Sequence, residues 1–148
     1  MAQKIILVED SAMLVNCLRL LLAPAEVVIA HDMATAKALV RSAGPDDTVM
    51  IDLKLPDSSP LQTLSQIVVW KNRKPAPRVV VITGTTDRSI IEAANNGPAD
   101  AVALKSDSGE FFETLRGLGL FRQKHGEECA CIENVERIER EVQSLVRT

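Results

Sequence analysis

Glu9, Asp10, Asp52, Thr83 and Lys105 are scattered along the chain, yet each follows a short apolar run: Lys4 to Val8, Thr48 to Ile51, Arg78 to Ile82 and Ala101 to Leu104. Runs of that length, rich in Val, Ile, Leu and Ala, read as strands buried on both faces of a parallel sheet. The carboxyl ends of parallel strands open on one edge, so the polar residues that follow them converge in one cleft. Three carboxylates, a hydroxyl and an ammonium gathered there suit a divalent metal with a phosphoryl group beside it. Mg²⁺ prefers hard oxygen ligands and typically takes one or two carboxylates, which Asp10 and Asp52 supply. With a cation screening its charge, the Asp52 carboxylate can attack phosphorus and form an acyl phosphate, while Thr83 and Lys105 hold the phosphoryl oxygens.

The elements needed to place these residues alternate along the chain. Ser11 can cap a first helix with Met13, Leu14, Leu18, Leu21 and Leu22 at helical spacing, and Glu26 to Ala30 forms a second strand. Asp32 caps a helix over Met33 to Ser42. Ser59 followed by Pro60 opens another to about Lys71, with Leu61, Leu64, Ile67 and Val68 predicted on one face and Trp70 and Arg73 at the surface. Asp87 starts a short helix that ends at Asn95-Asn96-Gly97, strand five runs from Asp100 to Leu104, and a fifth helix over about Ser108 to Leu118 points Phe111, Phe112 and Leu115 inward. Alternating strands and helices predict repeated βαβ units with right-handed crossovers, an α/β fold with five strands in one parallel sheet.

The repeating part closes near residue 121. Residues 122–130 read as a polar linker, and 131–148 as an amphipathic helix with Cys131, Val135, Ile138, Val142 and Leu145 on one stripe and i,i+4 pairs Glu133–Arg137 and Glu136–Arg140. This extension is expected to dimerise with a second copy, to fold back on the first 121 residues, or to link to an output domain. His125, Cys129 and Cys131 are too few and wrongly spaced for structural zinc. Three cysteines make no disulfide framework, and Cys17 reads as a small apolar residue of the first helix.

Composition bounds the function. The chain has 148 residues with a net charge of -3, 46% hydrophobic and 25% charged residues, which is ordinary globular usage and leaves no basic footprint for nucleic acid. The five-residue apolar run near Met1 is too short for a signal-peptide core, and no stretch approaches the ~20 residues of a membrane span, so a cytoplasmic location is expected.

Glu9-Asp10, Asp52-Leu53-Lys54-Leu55-Pro56, Thr83-Gly84 and Lys105, in that order over residues 4 to about 120, resemble the receiver domain of two-component response regulators, the CheY-like family. The resemblance implies a doubly wound, flavodoxin-like (βα)5 fold with strand order 2-1-3-4-5, an order for which a chemotaxis receiver is a standard example. It implies Asp52 as phosphoacceptor, Asp10 as direct Mg²⁺ ligand, Glu9 acting through metal-bound water, Lys54 lending its backbone carbonyl, and Thr83 and Lys105 binding the phosphoryl group. A histidine kinase or phosphotransfer protein would be the donor, and the chain would be a signalling switch, not an enzyme in its own right, with an output partner the sequence does not name. Lys54 and Thr85 match positions that tune the lifetime of the acyl phosphate.

Several positions depart from the family pattern. Val102 stands where an aromatic switch residue is usual, Ser106 where proline follows the lysine, Pro60 where glycine is common and Gly84 where alanine is common. Val102 and Ser106 motivate an alternative, a phosphorylation-independent scaffold or dimerisation module on the same fold. A phosphatase of the haloacid-dehalogenase kind is disfavoured, because Lys54 occupies the place of its second aspartate.

Overall fold

The computed structural model describes residues 4–22 and 25–120. The linker and the amphipathic extension expected over 122–148 lie outside the described residues. The five apolar runs become β1 (Lys4–Val8), β2 (Glu26–Ala30), β3 (Thr48–Asp52), β4 (Arg78–Thr83) and β5 (Ala101–Leu104), all paired in parallel in the order β2-β1-β3-β4-β5. The helices between them are α1 (Ala12–Leu22), α2 (Met33–Val40), α3 (Pro60–Lys71), α4 (Arg88–Asn95) and α5 (Ser108–Gly117). The doubly wound α/β fold is thus the one implied by the sequence.

Two apolar layers hold the sheet. On one face Ile5, Leu7, Met50, Val80 and Ile82 pack against α1 and α5 through Leu14, Leu18, Phe111, Phe112 and Leu115. On the other, Ile6, Val8, Val49, Ile51, Val79 and Val81 pack against α2, α3 and α4. Every β3 residue is buried, as a central strand covered on both faces must be.

Local chemistry sets the helix ends. Asp32 accepts from the Thr35 amide at 2.8 Å to cap α2, and Ser59 and Gln62 form a reciprocal capping box with Pro60 in the first turn of α3. Gly119, at φ 74°, closes α5: its amide donates to the Arg116 carbonyl and the Leu120 amide to the Leu115 carbonyl, a left-handed turn that glycine makes without strain.

The helical phase of α3 differs from the expected one. Its buried positions are Thr63, Ile67 and Trp70, whereas Leu61 is 65% and Val68 43% exposed. Nearly every side of α3 carries an apolar residue, so periodicity leaves its phase open and its contacts with β4 and α4 decide it. Trp70 is therefore core. Arg73, expected at the surface, donates to the carbonyls of Val40, Arg41 and Ala43 and so satisfies the end of α2. In α1, Met13 likewise turns outward while Val15 and Cys17 are buried. No helix among the described residues is long and apolar enough to cross a membrane.

Candidate functional site

Strand register brings the polar residues together. Val8 lies opposite Ile51, so Glu9 and Asp52 come next to each other at the carboxyl end of the central pair. Thr83 lies opposite Leu104 at the ends of β4 and β5, and the Lys105 amide donates to the Thr83 carbonyl at 2.8 Å. Asp52, Lys54, Thr83, Thr85 and Lys105 line one cleft of about 510 Å³.

Within it, the Lys105 ammonium bridges two carboxylates, Glu9 Oε2 at 2.7 Å and Asp52 Oδ2 at 2.9 Å. Glu9 is buried and its second oxygen accepts from the Ser11 amide at 3.1 Å; Asp52 Oδ1 accepts from the Lys54 amide at 3.3 Å. Thr83 is buried, and its hydroxyl oxygen accepts from the Thr85 amide at 3.2 Å. Asp10 is exposed. Oxygens of Glu9, Asp10 and Asp52 all fall within 4.8 Å of one another, a carboxylate group able to hold a metal ion. An all-oxygen donor set of this kind fits Mg²⁺ or Mn²⁺ better than a soft metal.

Two carboxylates share one ammonium, so ionising both would leave the buried group with an excess negative charge. Burial pushes the Glu9 carboxyl up to about 7, with the Asp52 charge adding to it, against the pull of Lys105 and of its hydrogen bonds. For Lys105, burial acts downward, but attraction to Asp52 and Glu9 and the hydrogen bonds to both outweigh it and hold its pKa above the ordinary lysine value.

A pH dependence follows. The metal-free folded protein keeps a Glu9 proton that the unfolded chain releases near 4.5, so the stability from this group is present below pH 4.5 and lost as pH rises through about 7. The expected size is on the order of 3 kcal/mol. In urea unfolding with chelator at pH 5 and pH 8, Glu9→Gln should lose less, or gain more, on going to pH 8 than the wild type. Parallel behaviour of the two proteins would contradict the assignment.

The family model for the response regulator receiver domain matches residues 5–116. The chain belongs to that family. Among solved structures, this receiver is similar to the phosphorylated cyanobacterial phytochrome response regulator RcpA, at 26% identity and TM-score 0.65 over 80% of this chain and 91% of that one. The CheY-like receiver from Methanospirillum hungatei JF-1 shares the fold at 20% identity and TM-score 0.65, over 95% and 99% of the two chains. The Mn²⁺-bound response regulator Rcp1 does so at 23% identity and TM-score 0.62, over 78% and 90%. A comparison with curated proteins finds no significant match.

Asp52, Lys54, Thr83 and Lys105 line the receiver's cleft, and Glu9 and Asp10 join Asp52 in the carboxylate group. Val102 is half-buried beside the α2–α4 layer and, among the described residues, the one cis peptide is Lys74–Pro75, so Lys105–Ser106 is trans. A methyl group on Gly84 would lie 3.8 Å from the Lys105 side chain, an ordinary contact, so glycine is not sterically required there. Sequence reasoning missed the supports of the Asp52 loop. The Thr63 hydroxyl donates to the Leu53 carbonyl at 2.8 Å and lies 2.8 Å from the Ser58 hydroxyl, and Asp57 accepts from two amides of α2. Thr63 sits on the unexpected inner face of α3, which is why its role was hidden.

Proposed function

We propose that this receiver is a phosphorylation switch of a two-component phosphorelay, taking a phosphoryl group on Asp52 in a Mg²⁺-dependent step. The observation that carries the reading is the Asp52 carboxylate in the cleft, 2.9 Å from the Lys105 ammonium and grouped with Glu9 and Asp10. Asp10, Asp52 and the Lys54 carbonyl would hold the cation directly and Glu9 through water; the Mn²⁺-bound relative lends support. When bound, the cation neutralises charge on Asp52 and the incoming phosphoryl oxygens.

Asp52 supplies the nucleophile. One of its oxygens forms a bond to phosphorus as the phosphorus–nitrogen bond of a kinase or phosphotransfer-protein phosphohistidine breaks, and the departing imidazole is released neutral or takes a proton from solvent. Lys105 exchanges part of its contact with the carboxylates for the phosphoryl oxygens, and the Thr83 hydroxyl donates to another. Water later cleaves the acyl phosphate, so the chain undergoes one modification cycle and is not an enzyme. Lys54 is exposed at the mouth and Thr85 half-buried there, placed to influence that water. The cytoplasm, where such donors act, is the proposed location.

The donor class is tested by mixing the protein with a phosphotransfer protein labelled on histidine. Label should pass to the wild type in Mg²⁺ and not to Asp52→Asn. Label that stays on the donor, or passes equally to both, would overturn the reading. The scaffold alternative predicts the first of these.

A further inference from the structure

The β3–α3 loop, which would present the Lys54 carbonyl to the metal, is tied to an element that carries none of the candidate site residues. Asp57 Oδ1 accepts from the Met33 amide at 2.7 Å and Oδ2 from the Ala34 amide at 3.0 Å, so both carboxylate oxygens seat on the first turn of α2, more than twenty residues earlier in the chain. That turn does not depend on Asp57 for its local cap, because Asp32 already accepts from Thr35. The first two amides of α2 have no acceptor within the helix, and a carboxylate is favoured there by the helix dipole.

The same β2–α2 turn also grips the other side of the acid pocket. The Glu9 amide donates to the Ala30 carbonyl at 3.0 Å, and His31 Nδ1 lies 3.2 Å from the Glu9 carbonyl oxygen. One short segment, residues 30–34, thereby holds the backbone of Glu9 at one end and the loop bearing Lys54 at the other. Inside the loop, Leu55 and Ser58 pair through both backbone bonds and Thr63 fixes Leu53. Lys54 sits between these anchors, and Asp57 fastens their outer side.

We infer that Asp57 is a positioning residue for the divalent-cation site, setting the spacing between the Lys54 loop and Glu9 through the first turn of α2. The inference rests on the proposed metal-assisted role of Asp52. It makes the seat of Asp57 on α2 a mechanical part of the pocket, so that loss of that seat is felt as a change in cation affinity.

The test compares wild type, Asp57→Ala and Asp32→Ala by calorimetric Mg²⁺ binding, urea unfolding, and the Mg²⁺ dependence of phosphorylation by acetyl phosphate. Both substitutions remove acceptors from the same helix end, but only Asp57→Ala frees the loop. Asp57→Ala should weaken Mg²⁺ binding on the order of tenfold, as loss of support behind a metal ligand commonly does. Its half-saturating Mg²⁺ should rise in step while the rate at saturating Mg²⁺ stays within about twofold of wild type; Asp32→Ala should lose stability with its Mg²⁺ affinity unchanged. Should the alanine variant fail to fold, Asp57→Asn keeps one acceptor oxygen and should shift affinity in the same direction. Equal affinities for wild type and Asp57→Ala, or equal losses in both variants, would overturn the inference while leaving the switch intact. A wild type that neither binds Mg²⁺ nor is phosphorylated would overturn both.

Discussion

Lys105→Met is expected to slow phosphorylation by acetyl phosphate roughly 10²- to 10³-fold, the usual consequence of removing one donor that stabilises charge in a transition state. The same substitution should tighten Mg²⁺ binding at pH 8, because it takes a positive charge from within 2.9 Å of both Glu9 and Asp52. The two effects have opposite signs, which a merely damaged pocket would not produce. At lower pH the gain in affinity should shrink. Without Lys105 the buried Glu9 loses the attraction that now opposes its burial, its pKa rises further, and a proton competes with the cation. Initial rates of adduct formation and binding isotherms at pH 6 and pH 8 measure both. A rate within twofold of wild type, or a joint fall in rate and affinity, would contradict a direct role for Lys105 at the phosphoryl group.

Phe111→Ala should cost about 3–5 kcal/mol of unfolding free energy, a large part of the roughly 5–15 kcal/mol that holds a domain of this kind. Phe111 and Phe112 are both buried and meet edge to face, ring centroids 5.4 Å apart at 85°. They join α5 to the layer that α1 shares, behind the strand that Lys105 follows. Truncation removes a ring from a site walled by the sheet and by Phe112, where collapse is difficult. Urea unfolding of the purified variant gives the value; a loss below 1 kcal/mol would show that α5 is not integral to the fold.

Strands and site residues were legible for the same physical reason. A strand buried on both faces must be apolar throughout, so the first polar residue after it marks the sheet edge, and Glu9, Asp52, Thr83 and Lys105 all stand at such points. Parallel register then does the rest, with Val8 beside Ile51 and Thr83 beside Leu104. Helix caps at Asp32 and Ser59 were legible because their partners lie three residues away. What escaped was set by distant contacts. The inner face of α3 depends on how the helix rolls on the sheet, and Leu61 with Val68 makes as good a stripe in sequence as Thr63, Ile67 and Trp70. Arg73 finds its carbonyls 30 to 33 residues away and Asp57 its amides 23 to 24 away, and neither residue type carries a local sign of such a partner.

The most direct test of the switch is the intact mass of the protein after incubation with Mg²⁺ and acetyl phosphate, wild type beside Asp52→Asn. The wild type should gain the mass of one phosphoryl group, lose it on treatment with hydroxylamine, and fail to gain it in chelator; Asp52→Asn should show no adduct. An unmodified wild type that nonetheless binds Mg²⁺, or an adduct that survives in Asp52→Asn, would contradict phosphorylation at Asp52.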